Sequence, residues 1–248
     1  MLPEDVPVIL VSAGPSLNQN IMEFKKAEGK ACIIATDTAM KPLLNAGITP
    51  NLFVIIDGLK PEILFQHKDI SKGPMVTMTA VSTEPMACHK GKKFFYGAGS
   101  AFEDNLTGDL EKKESEQHNR VIPYIVTGGS VATSAYALGL NMGAKTVILV
   151  GQDLAMTGNK THANGTFQDE MNDIVVESGE YFEVESVDGG KVLTRADFDL
   201  YRRWFEDHFK EWDHVTVIDA TEGGALIHGS KIMTLKKAIQ KYCVREFN

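Results

Sequence analysis

Several short stretches of this sequence hold residues whose types and spacing could do chemistry. Gly14-Pro15-Ser16-Leu17 joins an apolar, strand-like run to a helical one. A glycine turn before a helix start exposes backbone N–H groups, and such a start attracts an anion. Pro15 suits the first helical turn, where its missing N–H costs nothing. The alternative is a plain strand-to-helix turn. The pattern is neither GxGxxG nor GxxxxGK followed by Ser or Thr, so an ordinary dinucleotide fingerprint and a P-loop are both disfavoured. Thr127-Gly128-Gly129-Ser130 is a second small-residue turn before a helix. It suits either a close approach of backbone to a sugar or phosphate, or tight packing of helix on sheet.

Acids and imidazoles come next. Asp37 and Asp57 each follow an apolar run, and Asp153 does so after Gly151-Gln152. An acid there can hold ribose hydroxyls, orient a metal ion or cap the next segment. Two of them at corresponding strand ends favour a ligand. His162 lies in Gly158-Asn159-Lys160-Thr161-His162-Ala163-Asn164-Gly165, a polar and flexible-looking loop just past Asp153. An imidazole there can take a proton from a hydroxyl near neutral pH, although a lone loop histidine is more often merely solvated. His228, in Gly223-Gly224-Ala225-Leu226-Ile227-His228-Gly229, is a second candidate, whereas His208 and His214 flank a surface helix.

The elements that must position these residues alternate regularly. Residues 7–13, 31–36, 52–56 and 146–150 are short, β-branched apolar runs, as expected of strands buried on both faces. Weaker strands are expected at 75–81 and 93–96, and a last strand at 215–218. Helices are expected at 17–28, 39–45, 131–142, 196–212 and 231–242. Ser16 and Gln19 have capping-box spacing at the first of these. Asp188-Gly189, between strand-like residues 181–186 and 191–194, signals a β-hairpin. Residues 100–120 read as a surface loop or irregular helix, and 155–170 as an active-site loop. Strands alternating with helices imply an α/β protein: a Rossmann-like, mainly parallel sheet flanked by helices, with a small hairpin insertion. We expect one domain over residues 1–248. In such sheets ligands bind outside the carboxyl ends of the strands, where Gly14, Asp37, Asp57 and Asp153 all fall.

Composition narrows the class. Lys+Arg is 25 against Asp+Glu 33, a net charge of −8. Sequence-independent nucleic-acid binding needs the opposite field, so no nucleic-acid partner is expected. Hydrophobic residues make up 43%, enough for a sizeable core. No apolar run approaches the roughly 20 residues that span a bilayer, so no membrane partner is expected. The acidic start does not resemble a signal peptide. Three scattered cysteines, Cys32, Cys88 and Cys243, suit reduced thiols and a cytoplasmic location.

Taken in order, VILVSAGPSL, IIATDTAMKPLL, ITPNLFVIID, TGGSVA, VGQDLAMTGNKTHANG and EGGALIHG resemble the core of the motility-associated-factor (Maf) proteins, flagellin glycosyltransferases that add nonulosonic acids to Ser or Thr. The resemblance runs from Val8 to Ile239 and extends to the related 6-hydroxymethylpterin diphosphokinase MptE-like proteins. It also reaches the fold of bacterial CMP-sialate sialyltransferases. It implies a nucleotide-sugar site. Gly14, Pro15 and Ser16 would meet the nucleotide phosphate or ribose, Asp37 the base or ribose, and Thr127, Gly128, Gly129 and Ser130 the sugar. Asp153 would face the reacting centre, with Asp57 and Gln152 beside the ligand. The sialyltransferases bring tyrosines to the leaving phosphate after their Gly-x-Asp motif. Here that stretch reads Leu154-Ala155-Met156, so the role has no owner. Maf proteins are also longer, with domains on both sides, so this chain matches their core.

The leading expectation is transfer of a nonulosonic sugar from a CMP-activated donor to a protein hydroxyl, with a flagellin-like acceptor and with His162 or Asp153 as base. A side chain at position 14 should then block the anion and leave the fold largely intact. The alternative is a diphosphokinase that uses ATP and Mg²⁺ held by Asp57 and Asp153. A non-catalytic nucleotide-binding module is the third.

Overall fold

The computed structural model describes residues 1–57, 67, 69–79, 81, 83–97, 112–114, 116–119, 121–158, 160–166 and 180–246. Most of the expected loop at 100–120, Gly58, Asn159 and residues 167–170 lie outside them. Eight parallel strands form the main sheet: β1 (Val8–Val11), β2 (Cys32–Thr36), β3 (Leu52–Ile55), β4 (Met75–Met78), β5 (Lys93–Tyr96), β6 (Thr146–Val150), β9 (Thr216–Asp219) and β10 (Lys231–Ile232). Their spatial order is β10-β9-β6-β1-β2-β3-β4-β5. A separate antiparallel hairpin pairs β7 (Tyr181–Glu185) with β8 (Lys191–Arg195). The fold is therefore the expected Rossmann-like α/β arrangement with a hairpin.

The central strands are apolar on both faces because both faces are covered. One face presents Ile9, Val11, Ile33 and Ile148 to Leu17, Phe24, Met40, Leu43, Leu235 and Ile239. These come from α1 (Leu17–Asn20) with the 3₁₀ turn that follows it, from α2 (Asp37–Asn45) and from α6 (Leu235–Tyr242). The other face presents Val8, Leu10, Ile34 and Leu149 to Tyr136, Leu140, Phe205 and Phe209. These belong to α4 (Val131–Asn141) and α5 (Ala196–Glu211).

Two helices depart from expectation. Residues 17–28 are not one α-helix: α1 ends at Asn20, and Ile21–Lys26 continue as 3₁₀. Asn20 leaves the helical region at φ −124, while its amide nitrogen donates to Ala220 O (3.3 Å) and Glu222 Oε1 (3.2 Å). Residues 231–242 likewise split into β10 and α6, because Thr234 caps the latter by accepting Lys237 N–H at 3.4 Å. A short helix, α3 (Thr83–Cys88), is not among the expected elements.

Tyr136 stands at the joint between α4 and α5, fully buried, edge-on to Phe205 with ring centroids 5.5 Å apart. Its hydroxyl has no hydrogen-bond partner among the described residues. A buried, unbonded hydroxyl costs about 1–3 kcal/mol. Tyr136→Phe is therefore expected to raise stability by about 1 kcal/mol in urea unfolding. A loss of stability would mean that the hydroxyl has a partner.

Candidate functional site

The sheet changes direction beside β1: β2 to β5 extend to one side and β6, β9 and β10 to the other. The reversal falls between β1 and β6, and the carboxyl ends of the strands at such a reversal are the usual ligand position in open α/β sheets. A cavity of about 690 Å³ lies there. Gly14, Asp37, Asp57, Gly129, Ser130, Gln152, Asp153 and His162 all line it. Pro15, Ser16, Thr127 and Gly128 do not line it.

The first turn shows why. Gly14 N–H donates to Gly151 O (2.7 Å), Leu17 N–H to Gly14 O (3.1 Å) and Gln19 N–H to Ser16 O (2.9 Å). Ser16 N–H is taken by the Asp153 carboxylate at 3.2–3.3 Å, and Ser16 Oγ donates to Asp153 Oδ1 at 2.7 Å. Asn18 N–H goes to Pro15 O at 3.2 Å. The amides expected to receive a phosphate thus all have partners within the chain. Ser16 makes no capping bond to its own helix, because its hydroxyl points to Asp153. Asp153 occupies the anion position of this turn.

Asp153 accepts a further bond from Thr157 Oγ1 (2.7 Å) and is 2% exposed. Burial raises its pKa, against the lowering effect of the Ser16 and Thr157 donors. Its backbone O accepts Ala225 N–H at 2.8 Å. Gly224 is packed so closely that a Cβ would stand 2.2 Å from Asp153 O. That contact explains the EGGA stretch as the seat of Asp153. His228 lies elsewhere, half exposed, beside Glu206 and Glu185. Gln152 is also held, its Oε1 accepting from Ser12 Oγ at 2.5 Å.

The second small-residue turn divides its work. A Cβ on Gly128 would stand 2.4 Å from the Trp204 ring, so Gly128 serves the packing of α4 on α5. Gly129, at φ +90, and Ser130 face the cavity. Ser130 caps α4 by a reciprocal box with Thr133. Asp37 opens α2, where its Oδ1 accepts Thr38 N–H at 2.8 Å.

The described part of the His162 loop is tied down rather than loose. Ala163 N–H donates to Ala13 O (2.8 Å), and Asn164 N–H to Asn18 Oδ1 (3.0 Å). His162 Nδ1 lies 3.0 Å from Thr161 Oγ1, an interaction that can select the ring tautomer. The end of β8 and the first turns of α5 supply lining residues that sequence reasoning missed: Arg195, Asp197, Phe198 and Tyr201. Their spacing follows no motif, and only the docking of β8 brings them to the cavity. Among the described residues, no three His, Cys, Asp or Glu side chains come together as a metal-binding group. Asp153, expected to hold Mg²⁺ together with Asp57 in a diphosphokinase, has its carboxylate oxygens bonded to Ser16 and Thr157. None of the described helices is long and apolar enough to cross a membrane.

A parallel sheet covered on both faces, with a polar cavity at its strand-order reversal, defines a Rossmann-like α/β protein. Within that class, the chain belongs to the 6-hydroxymethylpterin diphosphokinase MptE-like family, whose model matches residues 2–159. It is similar to an uncharacterised protein of Treponema pallidum (strain Nichols), 24% identical over 227 residues, covering 75% of this chain and 57% of that protein. Its fold is similar to that of the Maf glycosyltransferase from Magnetospirillum magneticum AMB-1, with a TM-score of 0.72 and 15% identity. That match covers 93% of this chain and 34% of the Maf protein. The chain thus spans little more than half of one relative and about a third of the other.

Two expected outcomes follow from the Asp153 seat. A Cβ on Gly14 would lie 2.0 Å from Asp153 Oδ1 and 2.5 Å from Gly151 O. Position 14 therefore governs folding, contrary to the expectation of a folded, non-binding variant. Gly14→Ala should lose about 1–3 kcal/mol, the usual range for overpacking, in urea unfolding; wild-type stability would show that the turn can open.

The second concerns Asp219, 1% exposed at the end of β9. Burial, with Asp153 adding repulsion, raises its pKa to about 6 against the lowering effect of Thr221. The folded state thus holds a proton that the unfolded state has released. Its contribution to stability is present below the unfolded value of about 4 and is lost as pH rises towards 6. Asp219→Asn should therefore gain about 1–3 kcal/mol relative to wild type between pH 4 and pH 7. Parallel pH–stability curves would remove Asp219 from the linkage.

Proposed function

We propose that this chain is a glycosyltransferase core that takes a CMP-activated nonulosonic acid and passes the sugar to a protein Ser or Thr hydroxyl. One observation carries the reading. The cavity at the strand-order reversal collects acceptors for hydroxyl groups, Asp37, Asp57 and Gln152, together with a positioned imidazole, His162. Carboxylates at strand ends suit ribose and sugar hydroxyls, and the imidazole suits an acceptor proton. The Maf-like fold supports the same reading.

In the proposed reaction, His162 takes the proton of the acceptor hydroxyl as its oxygen bonds to the anomeric carbon. The bond from that carbon to the phosphate oxygen breaks, and CMP leaves with the electron pair. Asp153 is a positioning residue here. With its oxygens bonded to Ser16 and Thr157, it holds the first turn and Thr157 in register, while His162 is the catalytic base. The acceptor protein, flagellin-like by the resemblance, reaches the cavity from its open side.

The family's description favours a second reading, a diphosphokinase acting on a pterin alcohol. Thermal unfolding in the presence of CMP, a CMP-nonulosonate, or ATP with Mg²⁺ separates the two. A ligand at 100 times its Kd adds about 2.7 kcal/mol. Stabilisation by the cytidine nucleotides alone is expected; stabilisation by ATP with Mg²⁺ alone would replace the first reading with the second, and none by any of them leaves neither. His162→Ala should cost about 10²–10⁴-fold in transfer, with CMP affinity by calorimetry changed less than about twofold. Normal transfer in that variant would remove His162 as base.

A further inference from the structure

Charge in the cavity is unevenly distributed. Asp37, Asp57, Asp153 and Asp197 line it, and Arg195 is the one lysine or arginine among the described lining residues. The position that a helix start would offer to an anion, at residues 14–16, holds the carboxylate of Asp153. An anionic ligand entering this cavity meets repulsion from the acids and one guanidinium of opposite sign.

That guanidinium is well placed. Arg195 is the last residue of β8 and the residue before α5. Its Nε donates to Asp197 Oδ1 at 2.7 Å, and its Cζ lies 4.2 Å from the centre of the Phe198 ring. Two bonds tie β8 to the turn after β6: Met156 N–H to Leu193 O (2.8 Å), and Thr194 Oγ1 to Leu154 O (2.7 Å). The arginine is thereby fixed relative to Gln152 and Asp153. Among the described residues only its Nε has a hydrogen-bond partner, which keeps both terminal NH₂ groups for a planar oxyanion. A fork fixed by a carboxylate on one edge and an aromatic ring on one face loses little entropy on binding.

We propose that Arg195 is a specificity-determining residue that holds the anionic group of the donor, a phosphate or a carboxylate oxyanion. The hairpin that carries it is a wall of the site rather than a peripheral insertion. The assignment rests on the nucleotide-sugar reading for the word donor, and on the cavity's charge distribution for the anion.

The test uses the 248-residue chain and three probes: inorganic pyrophosphate, N-acetylneuraminate and the uncharged nucleoside cytidine. Calorimetry and thermal unfolding are run on wild type, Arg195→Ala and Arg195→Lys. Wild type should bind at least one of the two anions, and Arg195→Ala should lose about 10–100-fold in that affinity, the worth of a hydrogen-bonded charge. Arg195→Lys should recover part of the loss, and cytidine affinity should be unchanged in both variants. Pyrophosphate binding identifies the phosphate as the group held; neuraminate binding identifies the sugar carboxylate. Anion binding that survives Arg195→Ala, or a wild type that binds cytidine and neither anion, overturns the assignment. Anion binding that Arg195→Ala abolishes, with no response to cytidine in any form, supports Arg195 and sinks the cytidine-nucleotide reading instead. Should Arg195→Ala fail to fold, phenylglyoxal labelling of wild type replaces it. Protection of the Arg195 peptide by the bound anion is expected, and labelling at the same rate with and without the anion overturns the proposal.

Discussion

A single buried carboxylate joins the parts of this protein that form its site. Asp153 accepts from Ser16 in the turn after β1, from Thr157 in the loop after β6, and through its backbone from Ala225 beyond β9. Those three segments are far apart in the chain and meet only at the sheet's carboxyl edge. A carboxylate 2% exposed is costly to desolvate unless donors surround it. The surrounding segments supply them, and two glycines make room. Neither Gly14 nor Gly224 could carry a Cβ without striking Asp153.

This arrangement decides the polarity of the cavity. Because the carboxylate sits where a helix start would receive a ligand's phosphate, the side between β1 and β6 is acidic. The opposite wall is built by β8 and the start of α5, and it brings Arg195 with Phe198 and Tyr201. The cavity therefore has an acid- and hydroxyl-lined floor and one basic corner. Such a surface suits a ligand with many hydroxyls and one localised negative group, which is the chemistry of a sugar acid or a sugar phosphate.

Helix packing supports this geometry. α4 and α5 lock together through Tyr136, Trp204 and Phe205, whose rings meet edge to face. Gly128 lets Trp204 approach the start of α4. The neighbouring Gly129 and Ser130 are thereby presented to the cavity. Packing and presentation are two faces of one turn, and the residues between them cannot be assigned to a single purpose.

What could be read from the sequence alone follows from local physics. A strand buried on both faces needs an apolar, β-branched run, and such runs at Val8–Val11, Cys32–Thr36 and Thr146–Val150 announced the parallel sheet. A parallel sheet gathers its strand ends at one edge, so Gly14, Asp37, Asp57, Asp153 and their neighbours had to share a site. Their roles were not legible. Whether the first turn receives a ligand's anion or the chain's own depends on Asp153, 137 residues from Ser16, and no local pattern records that distance being closed. Arg195 was invisible for the same reason, since a hairpin's own sequence says nothing of the surface on which it docks. Local periodicity determined which elements form and which ends they share; only the long-range hydrogen bonds of the folded chain decided which side chains face the cavity and which hold it open.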